Sequence, residues 1–204
     1  MSARAASLAL FVLLGAAPHA AAAPLEASRE LLAALRTQGR AEATLRYTVA
    51  GLPGEPAAAI RATLALEPPD RARLDVRTTG ETIVVRADGG EWLDPAGGQL
   101  VRLSSGRVAP ALRWWRVLLG GAGPVRERRD SPGRFWLVLP AQGTAPADSA
   151  LVQLDARGLP ARLELPGSDG PTLLRLSDWR FLRAKGRAAF TLTAPPGVVE
   201  VTLP

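Results

Sequence analysis

Apolar and polar residues alternate along most of this chain. Leu45, Tyr47 and Val49 are interleaved with Thr44, Arg46 and Thr48, and Ala62, Leu64 and Leu66 with Arg61, Thr63 and Ala65. Leu74 and Val76 likewise alternate with Arg73, Asp75 and Arg77. A period of two gives each run one apolar and one polar face, as in half-buried strands. Glu81–Ala87 continues the series, Asp88-Gly89-Gly90 is a hairpin signal into Glu91-Trp92-Leu93, and Asp94–Gly98 turns into Gln99–Leu103. Further strand-like runs follow at Val125–Arg129, Arg134–Pro140, Leu151–Ala156, Ala161–Leu165, Leu173–Leu182, Ala188–Thr193 and Val198–Leu203. Turn signals at Gly143, Arg157-Gly158, Gly167–Gly170 and Lys185-Gly186 separate several of them. About eleven short strands, each pairing with the one before, predict a strongly curved antiparallel sheet.

Two stretches break the alternation. Leu25–Thr37 has apolar residues at 25, 31, 32 and 35 with charges between them, the pattern of an amphipathic helix. Pro110–Gly121 (PALRWWRVLLGG) starts with a proline suited to a first helical position and ends on a glycine pair. On a helical wheel Arg113 and Arg116 share one narrow stripe, and apolar residues occupy everything else. That arc is roughly twice the ~100° needed to seat a surface helix on its core. Either the helix is buried on two sides, or it is a lid with one side over an apolar cavity. Two helices against so many strands leave two architectures: a filled barrel, or an incomplete barrel plugged by the helices. The wide arc favours the incomplete one. Tyr47, Trp92, Trp115, Trp136 and Phe190 are inward wall residues in both.

The N-terminus adds a destination. Arg4, the apolar run Ala5–Ala17 and the small residues Ala20–Ala23 form the three parts of a secretory signal peptide, assigned to residues 1–22. The run is too short to span a bilayer, which takes about 20 residues. Residues 23–204 then form one domain in the periplasm, without an internal repeat or a second boundary.

Composition narrows the chemistry. The chain has no cysteine, so disulfides, thiolate nucleophiles and N-terminal lipidation are excluded. Its one histidine, His19, lies in the signal segment, which leaves the remainder without the usual general base near neutrality and the commonest metal ligand. No phosphate-binding glycine loop, nucleophile elbow or calcium loop is present, and no metal or other cofactor is expected. Asp88, Glu91 and Asp94 are the nearest carboxylates in sequence to a hydrolytic pair, and an exposed hairpin explains them better. The formal net charge is +6, carried by arginine with Lys185 as the sole lysine. Export and the absence of an aromatic-studded basic strip argue against nucleic acid. The densest basic run, Val125–Arg134, reads as a solvated hairpin tip or as a contact for anionic headgroups.

Several pieces in order resemble the periplasmic outer-membrane lipoprotein carrier family, the LolA-like proteins. They are the signal peptide, LLAALR, ADGGEWLDPAGGQLVR, the P-x-x-x-W-x-x-LLGG helix, RFWLVLP, GLPARLELPGSDGPTLLRLSDW and FTLTAPPGVVEV. The resemblance implies an unclosed β-barrel with an N-terminal helix, a central helical lid and a hydrophobic cavity sheltering acyl chains. On this sequence that cavity is assigned to Tyr47, Val49, Leu64, Leu66, Leu74, Val76, Trp92, Leu112, Trp115, Leu118, Leu119, Trp136, Val138, Phe190 and Leu192. It also implies a monomer without catalysis that meets an inner-membrane donor, an outer-membrane acceptor and, transiently, a membrane. Two positions depart from the family. Its aromatic-x-Gln is Leu45-Arg46-Tyr47 here, and its arginine before a proline is Glu67 before Pro68-Pro69. The cargo is therefore a lipoprotein or another lipid, such as an aryl polyene lipid. A lipid-sensing regulatory module is the other non-enzymatic reading, and a lipid hydrolase is the least supported one.

Overall fold

The computed structural model describes residues 25–49, 58–104, 110–120, 125–140, 147–166 and 171–203. The signal segment lies outside these residues. Twelve strands form one sheet: β1 (Gly39–Val49), β2 (Ala58–Glu67), β3 (Arg71–Val76), β4 (Thr82–Arg86), β5 (Gly89–Asp94), β6 (Gln99–Ser104), β7 (Arg126–Ser131), β8 (Arg134–Leu139), β9 (Asp148–Leu154), β10 (Pro160–Leu165), β11 (Thr172–Arg183) and β12 (Val199–Leu203). The helices are α1 (Arg29–Gln38), entered through a 3₁₀ turn at Glu26–Ser28, and α2 (Pro110–Leu118). The fold is an unclosed, barrel-like sheet with helices on one face.

The spatial order corrects the simple meander. It runs β12-β6-β5-β4-β3-β2-β1-β11-β10-β9-β8-β7, so β6 and β7 are not neighbours. Two hairpin arrays, β1–β6 and β7–β11, are joined where β1 pairs with β11. The last strand, β12, pairs with β6 in parallel, the one departure from an antiparallel sheet. Edges remain at β12 and β7, so the wall does not close.

Alternation assigns the faces. Ala41, Ala43 and Leu45 on β1, Leu64 and Leu66 on β2, Leu74 and Val76 on β3, and Leu174 and Leu176 on β11 join one buried core with α1 and α2. We call this the inner face. α1 contributes Leu31 and Leu35, one turn apart and both fully buried. Truncating such a leucine to alanine costs about 2–5 kcal/mol. The helix ends at Gly39, whose φ of +92° and N–H to the Leu35 carbonyl make a left-handed C-terminal cap that leads straight into β1. Its start is capped from a distance. The Glu127 carboxylate on β7 accepts the N–H groups of Glu26 and Ala27, each at 2.8 Å.

The hairpin between β4 and β5 turns one step earlier than the glycine pair suggested. Arg86 pairs with Gly89, so Ala87-Asp88 is the turn and both glycines belong to β5. Gly89 has a φ of +148°, and a Cβ there would lie 2.3 Å from the Leu103 carbonyl oxygen. The close approach of β6 explains the residue.

Candidate functional site

The inner face is the candidate site, and α2 occupies it. Trp114, Trp115, Val117, Leu118 and Leu119 are all at most 6% exposed and belong to the same core as the sheet residues. The wide apolar arc is therefore buried all round its described part, as the first of the two helix readings expected. Trp114 donates its indole N–H to Asp148 Oδ2 at 3.2 Å on the first residue of β9, which fixes the helix rotation. Arg116 sits half-buried on the remaining side. The side chains of Leu112, Arg113 and Val49 lie outside the described residues.

Of the other residues assigned to the cavity, Leu64, Leu66, Leu74 and Val76 lie in the inner core beside Trp115, Leu118 and Leu119. Tyr47 packs against its margin, half-buried, and burial followed by the nearby Glu81 carboxylate raises its phenol pKa. It therefore stays a neutral donor. Trp92 shares this face, opposite Ile83 and Val101, and donates its indole N–H to Glu81 at 3.0 Å.

Four residues do not face this space. Phe135, Leu137 and Leu139 are the inner residues of β8, so Trp136 and Val138 point outward, with Val138 38% exposed. Arg134–Leu139 offers no alternation after its arginine, and an unbroken apolar run carries no information about phase. Phe190 and Leu192 form a separate cluster with Val84 and Leu100 on the outer face. Their segment is not a strand: Arg187–Phe190 is a 3₁₀ turn, and the chain then runs outside the sheet, through a turn at Pro196-Gly197, until Val199.

That segment is a strap over the outside of β3–β6, held by ion pairs. Glu67, 1% exposed, accepts the N–H groups of Lys185 and Gly186 at 2.9 and 3.1 Å and the Arg71 guanidinium at 2.9 Å. Arg71 in turn lies 5.8 Å from the Phe190 ring centre. Arg73 donates to the Ala189 carbonyl and Arg86 to the Phe190 carbonyl. Glu91 binds Arg86 and Arg102 through one oxygen and the Leu192 N–H through the other. The position where the resembled family has an arginine thus clamps the strap here and faces away from the helices.

This arrangement disposes of the carboxylate pair. Glu91 is buried beneath the strap rather than exposed on a hairpin; Asp88 meets Arg86 and Arg187; Asp94 accepts the Gly97 N–H in its own turn. The hydrogen bond from Arg86, reinforced by the charge of both arginines, lowers the Asp88 pKa. Among the described residues no group of three or more His, Cys, Asp or Glu could hold a metal ion. No described helix is long and apolar enough to cross a membrane. The basic hairpin is also not merely a solvated tip. Besides Glu127, its Arg129 pairs with Glu26 and stacks 5.6 Å from the Phe135 ring centre.

No protein-family profile and no curated protein matches the chain. Among solved structures it is similar to an uncharacterized conserved protein from Thermus thermophilus, at 16% identity and a TM-score of 0.49 over 88% of this chain and 100% of that one. It is also similar to a LolA superfamily protein from Nitrosomonas europaea, at 12% identity and 0.44 over 81% and 97%. A putative outer membrane lipoprotein-sorting protein domain from Vibrio parahaemolyticus matches at 13% identity and 0.45 over 79% and 94%.

Proposed function

We propose that this protein is a periplasmic carrier that shelters the acyl chains of a lipoprotein or another lipid between the inner face of its sheet and α2. The observation that carries this reading is the burial of α2 on every described side but that of Arg116, inside a wall that does not close. A short helix that shares the interior with the inner side chains of the sheet can be exchanged for cargo. The energies match. Five buried side chains at about 2 kcal/mol each represent ~10 kcal/mol of transfer free energy. An acyl chain of about fourteen methylenes, at ~0.8 kcal/mol each, supplies ~11 kcal/mol. Relative to water, replacing α2 by an acyl chain is then close to neutral; relative to a membrane, which shelters the chain equally, the exchange is uphill, and contacts with a donor or an acceptor membrane protein drive it and set its direction.

Residues 1–22 direct export and are removed, and residues 23–204 act as a monomeric carrier domain. The strap and the β7 cap on α1 keep the wall rigid while α2 moves. No catalytic step is assigned, because the carboxylates nearest in sequence to a hydrolytic pair are committed to arginines and turns.

The test uses the tryptophans of α2 as reporters. A brominated fatty acid should quench Trp114 and Trp115 saturably, and most of that quenching should vanish in a Trp114→Phe/Trp115→Phe variant. Native mass spectrometry of the periplasmic protein should show a co-purified lipid and names its class. Saturable quenching in neither protein, with no lipid mass, would remove the carrier reading and leave a filled barrel.

A further inference from the structure

The ladder between β1 and β11 ends at Arg46 opposite Arg175. Both strands continue past that pair, but apart: β1 stays with β2 through Val49, and β11 stays with β10 back to Thr172. The sheet wall forks here. A cleft of about 320 Å³ lies in the fork, lined by Arg46, Arg61 and Arg175 with Leu173, Ile60 and Tyr47 among the remaining walls. Tyr47 and Ile60 pack against the inner core, so the cleft runs from an exposed basic rim to the margin of the apolar interior.

The three arginines are part of a longer row. Arg162, Arg175, Arg46 and Arg61 stand directly opposite one another on β10, β11, β1 and β2, and the Arg77 N–H bonds the Arg61 carbonyl to extend the row. Like charges in directly opposed cross-strand positions destabilise a sheet. Fold stability therefore does not account for them. Arg162 has Glu164 and Arg77 has Thr63, but Arg46, Arg61 and Arg175 engage no carboxylate among the described residues. Asp178 feels Arg46 and Arg61 only at a distance, its own hydrogen bonds going to Ser177 and Thr44. A second arginine-lined cleft, of about 290 Å³ beside the strap, has Asp70 and Asp88 in its wall and its arginines already paired.

We infer that the fork between β1 and β11 is a binding site for the anionic headgroup of an amphiphile, a phosphate or carboxylate borne on an acyl chain. The guanidinium forks of Arg46, Arg61 and Arg175 match the planar or tetrahedral oxygens of such a group. Tyr47, Ile60 and Leu173 receive the first methylenes. The inference rests on the carrier reading and adds the class of cargo: an anionic lipid is preferred over a neutral or zwitterionic one of the same chain.

The experiment titrates the mature protein with dioctanoyl phosphatidylglycerol, dioctanoyl phosphatidylcholine and inorganic phosphate, and repeats this on an Arg46→Gln/Arg61→Gln/Arg175→Gln variant. A second variant, Arg126→Gln/Arg128→Gln/Arg157→Gln, removes as much charge elsewhere. Phosphatidylglycerol should bind wild type about tenfold more tightly than phosphatidylcholine, the worth of one charge-assisted contact. The first variant should bind both lipids at the phosphatidylcholine level, with no loss in thermal midpoint; the second should keep the preference. Equal binding of both lipids by wild type would sink the headgroup site and leave the carrier reading standing. Binding of neither would remove the carrier reading itself. Phosphate binding as tight as phosphatidylglycerol would make the cleft a site for free anions. Binding only to phosphatidylglycerol vesicles, not to the dispersed lipid, would make it a membrane-docking patch. A preference lost equally in both variants would reduce it to net charge.

Discussion

Two groups of arginines occupy the outer face, and they have opposite surroundings. Under the strap, Arg71, Arg73, Arg86 and Arg102 each meet a carboxylate: Glu67, Asp75, Glu91 and Glu91 again. Across β10, β11, β1 and β2, arginine faces arginine, and three of them have no carboxylate partner among the described residues. Residue type is the same and so is the sheet. What differs is whether the opposing position carries an acid and whether a second layer excludes water. The first group, half-buried and paired, is part of the fold. In the second, Arg46, Arg61 and Arg175 are exposed and meet no acid among the described residues; they cost the fold something and are available to a ligand.

The strongest test of this contrast is Glu91→Leu. It removes the acceptor of the Leu192 N–H and one carboxylate partner each from Arg86, which keeps Asp88, and from Arg102, which keeps Glu200, so the loss lies at the low end of the about 3–5 kcal/mol typical of breaking a buried pair. The thermal midpoint should fall by many degrees, and amide exchange should rise first in residues 186–203. A strap that stays protected in this variant would mean that Phe190 and Leu192, not the charges, hold it.

Glu67→Gln should come next, at about 1–3 kcal/mol, because the amide keeps an acceptor but loses the charge that binds Arg71 and two backbone N–H groups. Chemical denaturation measures it. If the loss matches that of Glu91→Leu, the two clamps act as one unit, which the double variant would show as non-additivity.

For the unpaired row the sign reverses. Arg46→Gln or Arg61→Gln should leave stability unchanged or raise it by up to ~0.5 kcal/mol, since a directly opposed like charge is relieved. A clear loss of stability would show that these arginines have a structural role after all, and the comparison would fail.

The smallest effect belongs to Asp88. Its folded pKa is lowered, chiefly by the Arg86 hydrogen bond, so its contribution is present above the ordinary carboxylate range and disappears as pH falls through the folded value. The stability difference between wild type and Asp88→Asn should therefore be small at neutrality and close in acid, below pH ~4. A difference that grows on acidification would contradict the assignment.

Much of the wall was legible because alternation states a phase. Leu64/Leu66, Leu74/Val76 and Tyr47 fall on the inner face as their patterns implied, and the arc on Pro110–Leu118 announced a helix buried on more than one side. Where the pattern was uniform or repeated itself, the sequence was silent. Phe135–Leu139 is apolar throughout, so only packing against Val152 and Ala150 decided that Trp136 and Val138 face out. Phe190 and Leu192 alternate like a strand, yet they cover Val84 and Leu100 from outside, because β12 pairs with β6 and draws the segment across that face.

Local sequence thus determined the type of most elements, the two faces of its alternating strands and the thiolate and disulfide chemistry that a chain without cysteine cannot perform. Tertiary structure alone decided which residues meet. Arg46, Arg61, Arg162 and Arg175 come from four strands, with up to 129 positions between them, and each reads singly as an ordinary exposed strand residue. Strand register is a property of pairs, set by the pairing of β1 with β2 and with β11 and by the bulge that shifts β11 near Asp178, so no single segment could display the row that register assembles.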